Sequence, residues 1–491
     1  MERLWLDQLR DEPVGYVAVA VNSQAPSFTV FSVPDILQTM SPDYHQRKEL
    51  QLGLHNRTLQ TSGTQLLKGE IAGSLHWKLA KSGLGSWQSF ASAVVGDVQT
   101  ARGHYQKGAS LVCDIPDEVV LYMLAMDALF LVVFFQFLNN KTFFLEEFKH
   151  LEPRLIDTAR TLIKSDLLLV ENQVPMYLLQ SVVRQLVTIM AADPAAKLEE
   201  KVEDELHIIL KVAVCHLYPL GHPDAAQGLF CGLRRREELG TLMELGFDDY
   251  LDVKYPLEPI TRSLLNCKHL LDCVYVVVCG HTLPYPDLPQ NPTPSKLDSI
   301  PSASRLQAIG ISITDTASTL DRIGLRGCGY VTSARLSLPK VDVYDLTEMV
   351  FHNLAVHEQL VDSGQHGDLR CFLQCMASLS NDAADLRLLL DHGVIDNKVG
   401  NNVLGMWERI LRGVNTASPS DSWLRCYQDI HNHRKNRVKR WRREMWVLFF
   451  SKPWTFVGLL GACAILFLTA VQTWFTVVNS SSRTWHWPSG S

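Results

Sequence analysis

The sequence predicts a mainly α-helical protein, in which a large helical cytosolic domain contains a small β element and is followed by one C-terminal transmembrane helix. Three observations predict this class. Apolar residues recur at helical spacing, most clearly at 198–217; the spacing changes to alternation within 329–343; and an uncharged apolar stretch lies at 457–478. The chain has 491 residues, 46% hydrophobic and 20% charged, which is the composition of a globular protein that can bury a large core.

The order of these features predicts how the chain is divided. The expected segments are a variable leader at 1–30, an α-helical core region at 31–281, a Pro-rich linker or loop at 282–301, a second part of the same domain with short strands and helices at 302–430, a basic juxtamembrane segment at 431–452, a transmembrane helix at 453–478 and a short tail at 479–491.

Two stretches of the core region carry the strongest helical signals. Residues 198–217 place one apolar face at Leu198, Val202, Leu206, Ile209 and Ala213. Residues 119–138 are apolar enough to cross a membrane, but Asp127 near their middle would cost about 2.5–3.5 kcal/mol in lipid. Because neither flank is strongly basic, we interpret 119–138 as a helix buried within the domain.

The β element is expected after the Pro-rich segment, which holds six prolines between residues 282 and 301. Alternation in 329–343 predicts short strands, with Pro339 at an edge or bend. Asp345 and Glu348 have the spacing of a capping box and predict that a helix opens there. Further helix is predicted at 367–393, with Gly393 as its C-terminal stop.

The C-terminal stretch 457–478 contains no formal charge and, as a helix at about 1.5 Å per residue, matches an apolar bilayer core of roughly 30 Å. A buried core helix is the alternative. The run before it, 434–443, contains seven basic residues and no acidic one: Arg434, Lys435, Arg437, Lys439, Arg440, Arg442 and Arg443. The positive-inside rule then places residues 1–452 in the cytosol.

The same basic run is expected to bind anionic lipid headgroups. Without its seven charges, the remaining 39 basic and 52 acidic residues give a net charge of −13, which argues against nucleic-acid binding by the chain. A nuclear-localisation or RNA-binding run is the alternative interpretation, and the neighbouring span favours the membrane.

No motif in the sequence predicts a nucleotide, metal or other cofactor site: GxxxxGK[ST], GxGxxG and GxSxG are all missing. His352 and His357, followed by Glu358, lack the zinc-hydrolase spacing and are interpreted as helix-face or interface residues. Among the 11 scattered cysteines, those at 267, 273 and 279 are spaced more widely than zinc pairs. The sequence therefore predicts no catalytic, cofactor-binding or metal-binding residue.

The stretch DLLLVENQVPMYLLQ at 166–180 places three polar residues, Glu171, Asn172 and Gln173, between two apolar runs. Asp166 is expected to cap a short apolar helix, and Pro175 fits the first turn of the next one. The polar side chains would then lie at a junction of two helices, where backbone groups need partners. This predicts a structural polar hinge.

Several stretches resemble the plant domain-of-unknown-function 247 family. DLLLVENQVPMYLL at 166–179 resembles its DLLLLENQIPFFVL signature, and VPDILQTMSPDYHQRKELQLGLH at 33–55 resembles its opening, although Gly53-Leu54-His55-Asn56 stands in place of Gly-Pro-Tyr-His-His. Residues 320–359 resemble its strand-and-helix block, and 451–478 its terminal span. The resemblance implies a plant protein at the plasma membrane or an endomembrane; some grass members of this family are linked to pollen-side self-incompatibility recognition.

The expected function is therefore that of a membrane-anchored, non-enzymatic recognition or signalling component with an unidentified protein partner. The alternative is an enzyme held at a membrane, with Asp127 or Glu171 as a buried acid or base. A structural, hydrogen-bonded Asp127 is the interpretation that we favour.

Overall fold

The computed structural model describes the following residues: 29–55, 63–106, 115–139, 146–160, 163–190, 198–220, 264–280, 300–317, 319–326, 334–361, 367–400, 402–417, 419–435 and 453–481. The predicted leader, Pro-rich segment, juxtamembrane segment and tail lie almost entirely outside these residues.

The protein is mainly helical, as the sequence predicts. The helices are α1 Asp35–Met40, α2 Gly63–Ser82, α3 Trp87–Val95, α4 Val98–Gly103, α5 Asp117–Leu138, α6 Glu152–Arg160, α7 Ile163–Leu167, α8 Met176–Met190, α9 Leu198–Leu217, α10 Leu270–Cys279, α11 Ala303–Ala308, α12 Thr347–Val361, α13 Asp368–Leu379, α14 Ala383–Asp391, α15 Met406–Ile410, α16 Asp421–Lys435 and α17 Pro453–Ser481. The described strands are β1 Ile311–Ala317, β2 Gly324–Arg326, β3 Ala334–Pro339, β4 Val341–Val343 and β5 Ile395–Asn397.

The chain forms two compact units. Among the described residues, the first unit comprises 29–218 and 264–276, and the second comprises 219–220 and 277–481. In the first unit α5 is central, because α2, α3, α8 and α9 all pack against it.

Helix α5 is the second apolar stretch of the sequence, and the structure buries it. Of its most apolar 18-residue window, 72% is buried, and its residues from Leu124 to Phe137 are almost all inside the unit. Removing so many large apolar side chains from water is the main source of stability for a unit of this kind. The prediction of a buried helix at 119–138 is confirmed.

Helix α9 also agrees with its prediction, since it begins at Leu198 and ends at Leu217. Four of the five residues predicted to form its apolar face are buried, namely Val202, Leu206, Ile209 and Ala213. This face packs on α5 and α8, which explains why its helical periodicity is so regular.

The second unit contains the β element. One sheet has the order β1-β3-β2, with β1 parallel and β2 antiparallel to β3. In the other sheet β4 and β5 are parallel, and Val341 pairs with Ile395. The predicted strands within 329–343 correspond to β3 and β4, with Pro339 as the last residue of β3. Strands β1, β2 and β5 were not predicted.

Helices α12, α13 and α15 of the second unit pack around Trp407, whose ring meets Phe351 and Phe372 edge-on. The helix predicted to open at the capping box 345–348 is α12, which begins at Thr347. The Glu348 carboxylate accepts a hydrogen bond from Arg409 Nη2 at 2.6 Å. The helical stretch predicted at 367–393 is two helices, α13 and α14.

Gly393 follows α14 with φ of 73°, a left-handed conformation that ends a helix and favours glycine. Its backbone N–H donates to the carbonyl oxygen of Leu390. The predicted C-terminal stop of this helical stretch is therefore confirmed.

Candidate functional site

The most polar part of the first unit's interior is the segment between α7 and α8, which contains Glu171, Asn172 and Gln173. Asn172 and Gln173 are each 1% exposed. Asn172 Nδ2 donates to the carbonyl oxygen of Asp166 at 2.8 Å, and Gln173 Nε2 donates to the carbonyl oxygens of Leu167 and Leu169, both at 2.8 Å. The expected bonding of these two side chains to carbonyls at the end of a helix is observed.

Pro175 lies directly before α8, one residue outside the helix that it was expected to open. Its carbonyl oxygen accepts from the N–H of Leu178. A proline has no N–H to leave without a partner at this position, so it turns the chain into α8 at little cost.

The other polar atoms of Asn172 and Gln173 reach much further along the chain. Asn172 Oδ1 accepts from the N–H of Leu52 at 2.7 Å, and its Nδ2 donates to the carbonyl oxygen of Leu50 at 3.1 Å. Gln173 Oε1 accepts from the N–H of Leu271, in α10, at 3.1 Å. The two amides thus connect three separate stretches of the first unit.

Asp166 binds the same part of the chain as Asn172 does, around Leu50, and does not cap a helix as the sequence predicted. It lies inside α7, and its carboxylate accepts the backbone N–H groups of Lys48, Glu49 and Leu50 at 2.9, 2.7 and 2.7 Å. Consecutive N–H groups that converge on one carboxylate resemble the N-terminus of a helix bound to an anion. The prediction was wrong because the N–H groups come from a distant loop.

Glu171 binds an earlier part of this stretch. Its Oε1 accepts from the backbone N–H of Val33 at 2.8 Å, from Ser32 Oγ at 3.2 Å and from Gln38 Nε2 at 3.3 Å. These donors flank the start of α1.

Asp127, on α5, also binds this N-terminal part of the chain. Its Oδ1 forms a salt bridge with Lys68 Nζ of α2 at 2.7 Å, and its Oδ2 accepts from the N–H of Gly53 at 2.9 Å. Lys68 Nζ also donates to the carbonyl oxygen of Gln51. Gly53 has φ of 67°, and a Cβ at this position would lie 2.5 Å from the carbonyl oxygen of Gln173. Only glycine fits there.

These residues form one arrangement. We call residues 29–55 the strap, and we call its five side-chain partners the polar clamp, which consists of Asp127, Asp166, Glu171, Asn172 and Gln173. Four members of the clamp hydrogen-bond to the strap directly, and Gln173 binds α10 beside it. Most of these contacts use backbone groups of the strap, and Ser32 Oγ and Gln38 Nε2 add side-chain bonds to Glu171. The clamp therefore recognises chain conformation more than side-chain identity.

The second unit contains a comparable buried carboxylate at Glu358. It accepts from the backbone N–H groups of Leu369 and Arg370, and Arg370 Nε donates to its Oε2 at 3.0 Å. Both side chains are fully buried. Sequence reasoning singled out Glu358 only as a neighbour of His357 and missed Arg370, because a lone arginine in a helix carries no sequence signal for burial.

The two histidines of α12 are both buried. His352 Nδ1 lies 2.6 Å from the carbonyl oxygen of Ile410, and burial lowers the pKa of its imidazole. His352 and His357 therefore face the interior of the unit and not a surface. Within the described ranges, no group of three or more His, Cys, Asp and Glu residues could hold a metal ion.

The predicted membrane-facing residues are only partly described. Arg434 and Lys435 are exposed at the end of α16, whereas Arg437, Lys439, Arg440, Arg442 and Arg443 lie outside the described residues. Within α17, the stretch Leu460–Val478 is long and apolar enough to cross a membrane, and none of its window is buried against the rest of the chain. In contrast, 72% of the corresponding window of α5 is buried.

Comparisons with known proteins agree with the family resemblance. The profile of the DUF247 family, described as plant proteins of unknown function, matches residues 30–468. The UPF0481 protein At3g47200 of Arabidopsis thaliana is 22% identical over 470 residues, which cover 92% of this chain and 87% of that protein. No solved structure matches the chain. The strap from Val30 onward, the polar clamp, the strands and the first half of α17 fall within the matched residues, and the chain belongs to the DUF247 family of plant proteins.

Proposed function

We propose that this protein is a membrane-anchored, non-enzymatic recognition component, whose two units face the cytosol and bind a protein partner. The observation that carries the proposal is the contrast between the two long apolar helices. Helix α5 is mostly buried in its unit, whereas none of the Leu460–Val478 window is buried, and Trp474 and Phe467 are each 70% exposed. Such a surface in water would be strongly unfavourable, and a bilayer would cover it.

The charge before α17 supports the proposed orientation. The exposed Arg434 and Lys435 begin a run of seven basic residues that ends ten residues before Pro453. Positive charge beside a span favours the cytosolic side, where anionic headgroups attract it. The tail after the span contains Arg483 as its single Lys or Arg.

The bonding of the buried carboxylates supports a non-enzymatic role. Both oxygens of Asp127 and both oxygens of Asp166 accept hydrogen bonds from the chain itself. A general acid or base needs an oxygen that can reach a substrate proton. Recognition of a partner, of which the pollen-side role of some grass relatives would be one case, needs no such group.

A protease-protection experiment on microsomes tests the anchor and its orientation. The full chain carries one epitope at each end. We expect the N-terminal epitope to be digested in intact vesicles, the C-terminal one to be protected, and the protein to resist extraction by alkaline carbonate. A protected N-terminal epitope would overturn the orientation, and complete extraction would overturn the anchor.

The recognition role needs a separate experiment. Affinity purification of the full chain from detergent-solubilised plant membranes should recover a specific protein, and the purified chain should turn over no substrate. The membrane-tethered enzyme would be favoured instead if turnover were found and Glu171→Ala abolished it while the melting temperature stayed unchanged.

A further inference from the structure

The polar residues of the stretch Leu460–Val478 all lie on one side of α17. At 100° per residue, a single seam with alternating steps of four and three residues runs through Gly458, Ala462, Ile465, Thr469, Gln472 and Thr476. The opposite seam is formed by Leu460, Ala464, Phe467, Val471, Trp474 and Val478. Alternating steps of three and four are the spacing by which two helices pack along a left-handed crossing.

The hydroxyl groups on the first seam are satisfied within the helix. Thr469 Oγ1 donates to the carbonyl oxygen of Ile465 at 2.7 Å, and Thr476 Oγ1 donates to that of Gln472 at 2.8 Å. Thr473, next to the seam, does the same with Thr469. These threonines can therefore lie in lipid without a partner helix.

The side chain of Gln472 differs from these threonines. Its amide has two N–H donors and one carbonyl acceptor, and none of them has a hydrogen-bond partner among the described residues. Gln472 lies six residues, or about 9 Å, inside the end of the apolar stretch at Val478. Hydrocarbon offers such an amide no partner, so a second polar group at the same depth would stabilise it.

Gly458 supplies an independent observation on the same seam. It has an ordinary helical conformation, and a Cβ built on it would meet nothing within 4 Å. The described chain therefore gives no reason for glycine at this place. Gly458 and Ala462 are four residues apart, the small-residue spacing that lets two helix backbones approach closely.

We propose that α17 pairs in parallel with α17 of a second copy of this chain along the seam Gly458–Thr476. A second copy fits because a single span with a fixed orientation places both Gln472 residues at the same depth. Each amide can then donate to the carbonyl oxygen of the other. The proposal rests on the proposed membrane anchor, since an amide in water has solvent as its partner.

Cysteine crosslinking in membranes tests the pairing. In a Cys463→Ser background, the full chain in microsomes carries either Ile465→Cys or Thr476→Cys on the seam, and either Phe467→Cys or Val478→Cys on the opposite seam as matched controls. Under mild oxidation we expect disulfide-linked dimers of twice the chain mass with the first pair and not with the second. Equal crosslinking by both pairs, no crosslinking, or crosslinks to a protein of different mass would each overturn the homodimer.

The Gln472→Leu variant tests the role of the amide. We expect the association constant of the Thr476→Cys chain to fall by about threefold to thirtyfold, and its dimer fraction to fall accordingly, because interhelical hydrogen bonds of this kind contribute that much in membranes. Gln472→Asn should recover part of the loss, and Val471→Leu should change nothing. An unchanged dimer fraction in Gln472→Leu would overturn the amide pairing.

Carbonate extraction of the same samples distinguishes a failure of the helix pairing from a failure of the membrane anchor on which the pairing rests. If the chain is extracted, the membrane anchor has failed. If it stays in the membrane but gives no seam-specific crosslink, only the pairing has failed.

Discussion

Lys68 and Asp127 form a salt bridge of 2.7 Å between α2 and α5, and their side chains are 0% and 1% exposed. The pair does more than neutralise two charges, since Lys68 donates to the carbonyl oxygen of Gln51 and Asp127 accepts from the N–H of Gly53. An ion pair removed from water needs such additional bonds to offset its lost hydration. The strap therefore completes the pair, and the pair in turn fixes the strap on α2 and α5.

Removing the acid alone should be strongly destabilising. Asp127→Leu leaves the Lys68 ammonium buried without its counter-ion, which costs about 3–5 kcal/mol of unfolding free energy. The double variant Lys68→Met/Asp127→Leu should recover part of this loss, but not the bond to Gly53. Thermal and urea unfolding of the full chain in detergent would measure both.

The exposed pair Arg184–Glu199 is a matched control, because it has the same 2.7 Å separation with side chains 51% and 70% exposed. Glu199→Ala should cost less than about 1 kcal/mol. If Asp127→Leu were no more destabilising than Glu199→Ala, the structural role of the buried pair would be disproved.

The amide of Asn172 gives a second prediction. Asn172→Leu removes three buried hydrogen bonds, to Leu52, Leu50 and Asp166, and leaves their backbone groups without these partners. We expect a loss of about 3 kcal/mol or more, together with faster proteolysis within the strap. Asn432→Leu on an exposed position of α16 should change the unfolding free energy by less than about 0.5 kcal/mol. Equal melting temperatures for the two variants would contradict a structural clamp.

A comparison of two glycines distinguishes the stability cost of backbone strain from the stability cost of close packing. Gly53 and Gly83 have nearly the same φ, 67° and 66°, but a Cβ on Gly83 meets nothing within 4 Å, whereas one on Gly53 would lie 2.5 Å from the carbonyl oxygen of Gln173. Gly83→Ala should cost about 1 kcal/mol through its left-handed conformation alone. Gly53→Ala should cost clearly more, because the clamp must also move. Similar melting temperatures would mean that the strap yields freely at this point.

The sequence predicted the mainly helical fold, the burial of α5 and the bounds of α9, because these depend on local periodicity. It also predicted that Asn172 and Gln173 would bind the end of a helix. It could not predict the strap, since the donors at Val33, Leu50 and Leu52 are backbone N–H groups, which carry no residue-specific signal. The contacts between Asn172 and Leu52 or Asp127 and Gly53 span long stretches of chain that only tertiary packing brings together.

Asp166 is a second case in which the sequence does not show which segment of the chain supplies the N–H donors. Its position before an apolar run suggested a helix cap, which is the usual use of an aspartate near a helix end. In the structure three consecutive N–H groups of the strap bind this carboxylate. The chemistry of the prediction, a carboxylate that accepts free backbone N–H groups, was right, and the origin of those groups was wrong.

Acidification should destabilise the first unit through His216. Its ring borders a small cavity lined by Phe134, Phe135 and Lys164, and burial in these surroundings lowers the pKa of the imidazole from 6.5 to about 4. Between pH 6.5 and 4 the unfolded chain binds a proton at His216 that the folded chain does not bind. Stability is therefore complete above pH 6.5 and falls as the pH decreases toward 4. The loss has an upper bound of about 3 kcal/mol, because part of the residue surface is exposed.

Unfolding of the full chain measured from pH 7.5 to 4.5 checks this, with His216→Leu as the matched variant. Leucine suits the apolar neighbours Leu217 and Phe134 and cannot titrate. The difference in unfolding free energy between wild type and His216→Leu should be constant above pH 6.5 and should shift in favour of the variant below it, at up to about 1.4 kcal/mol per pH unit. Groups common to both chains cancel in this difference, so parallel curves over the whole range would show that His216 titrates alike in the folded and unfolded chain.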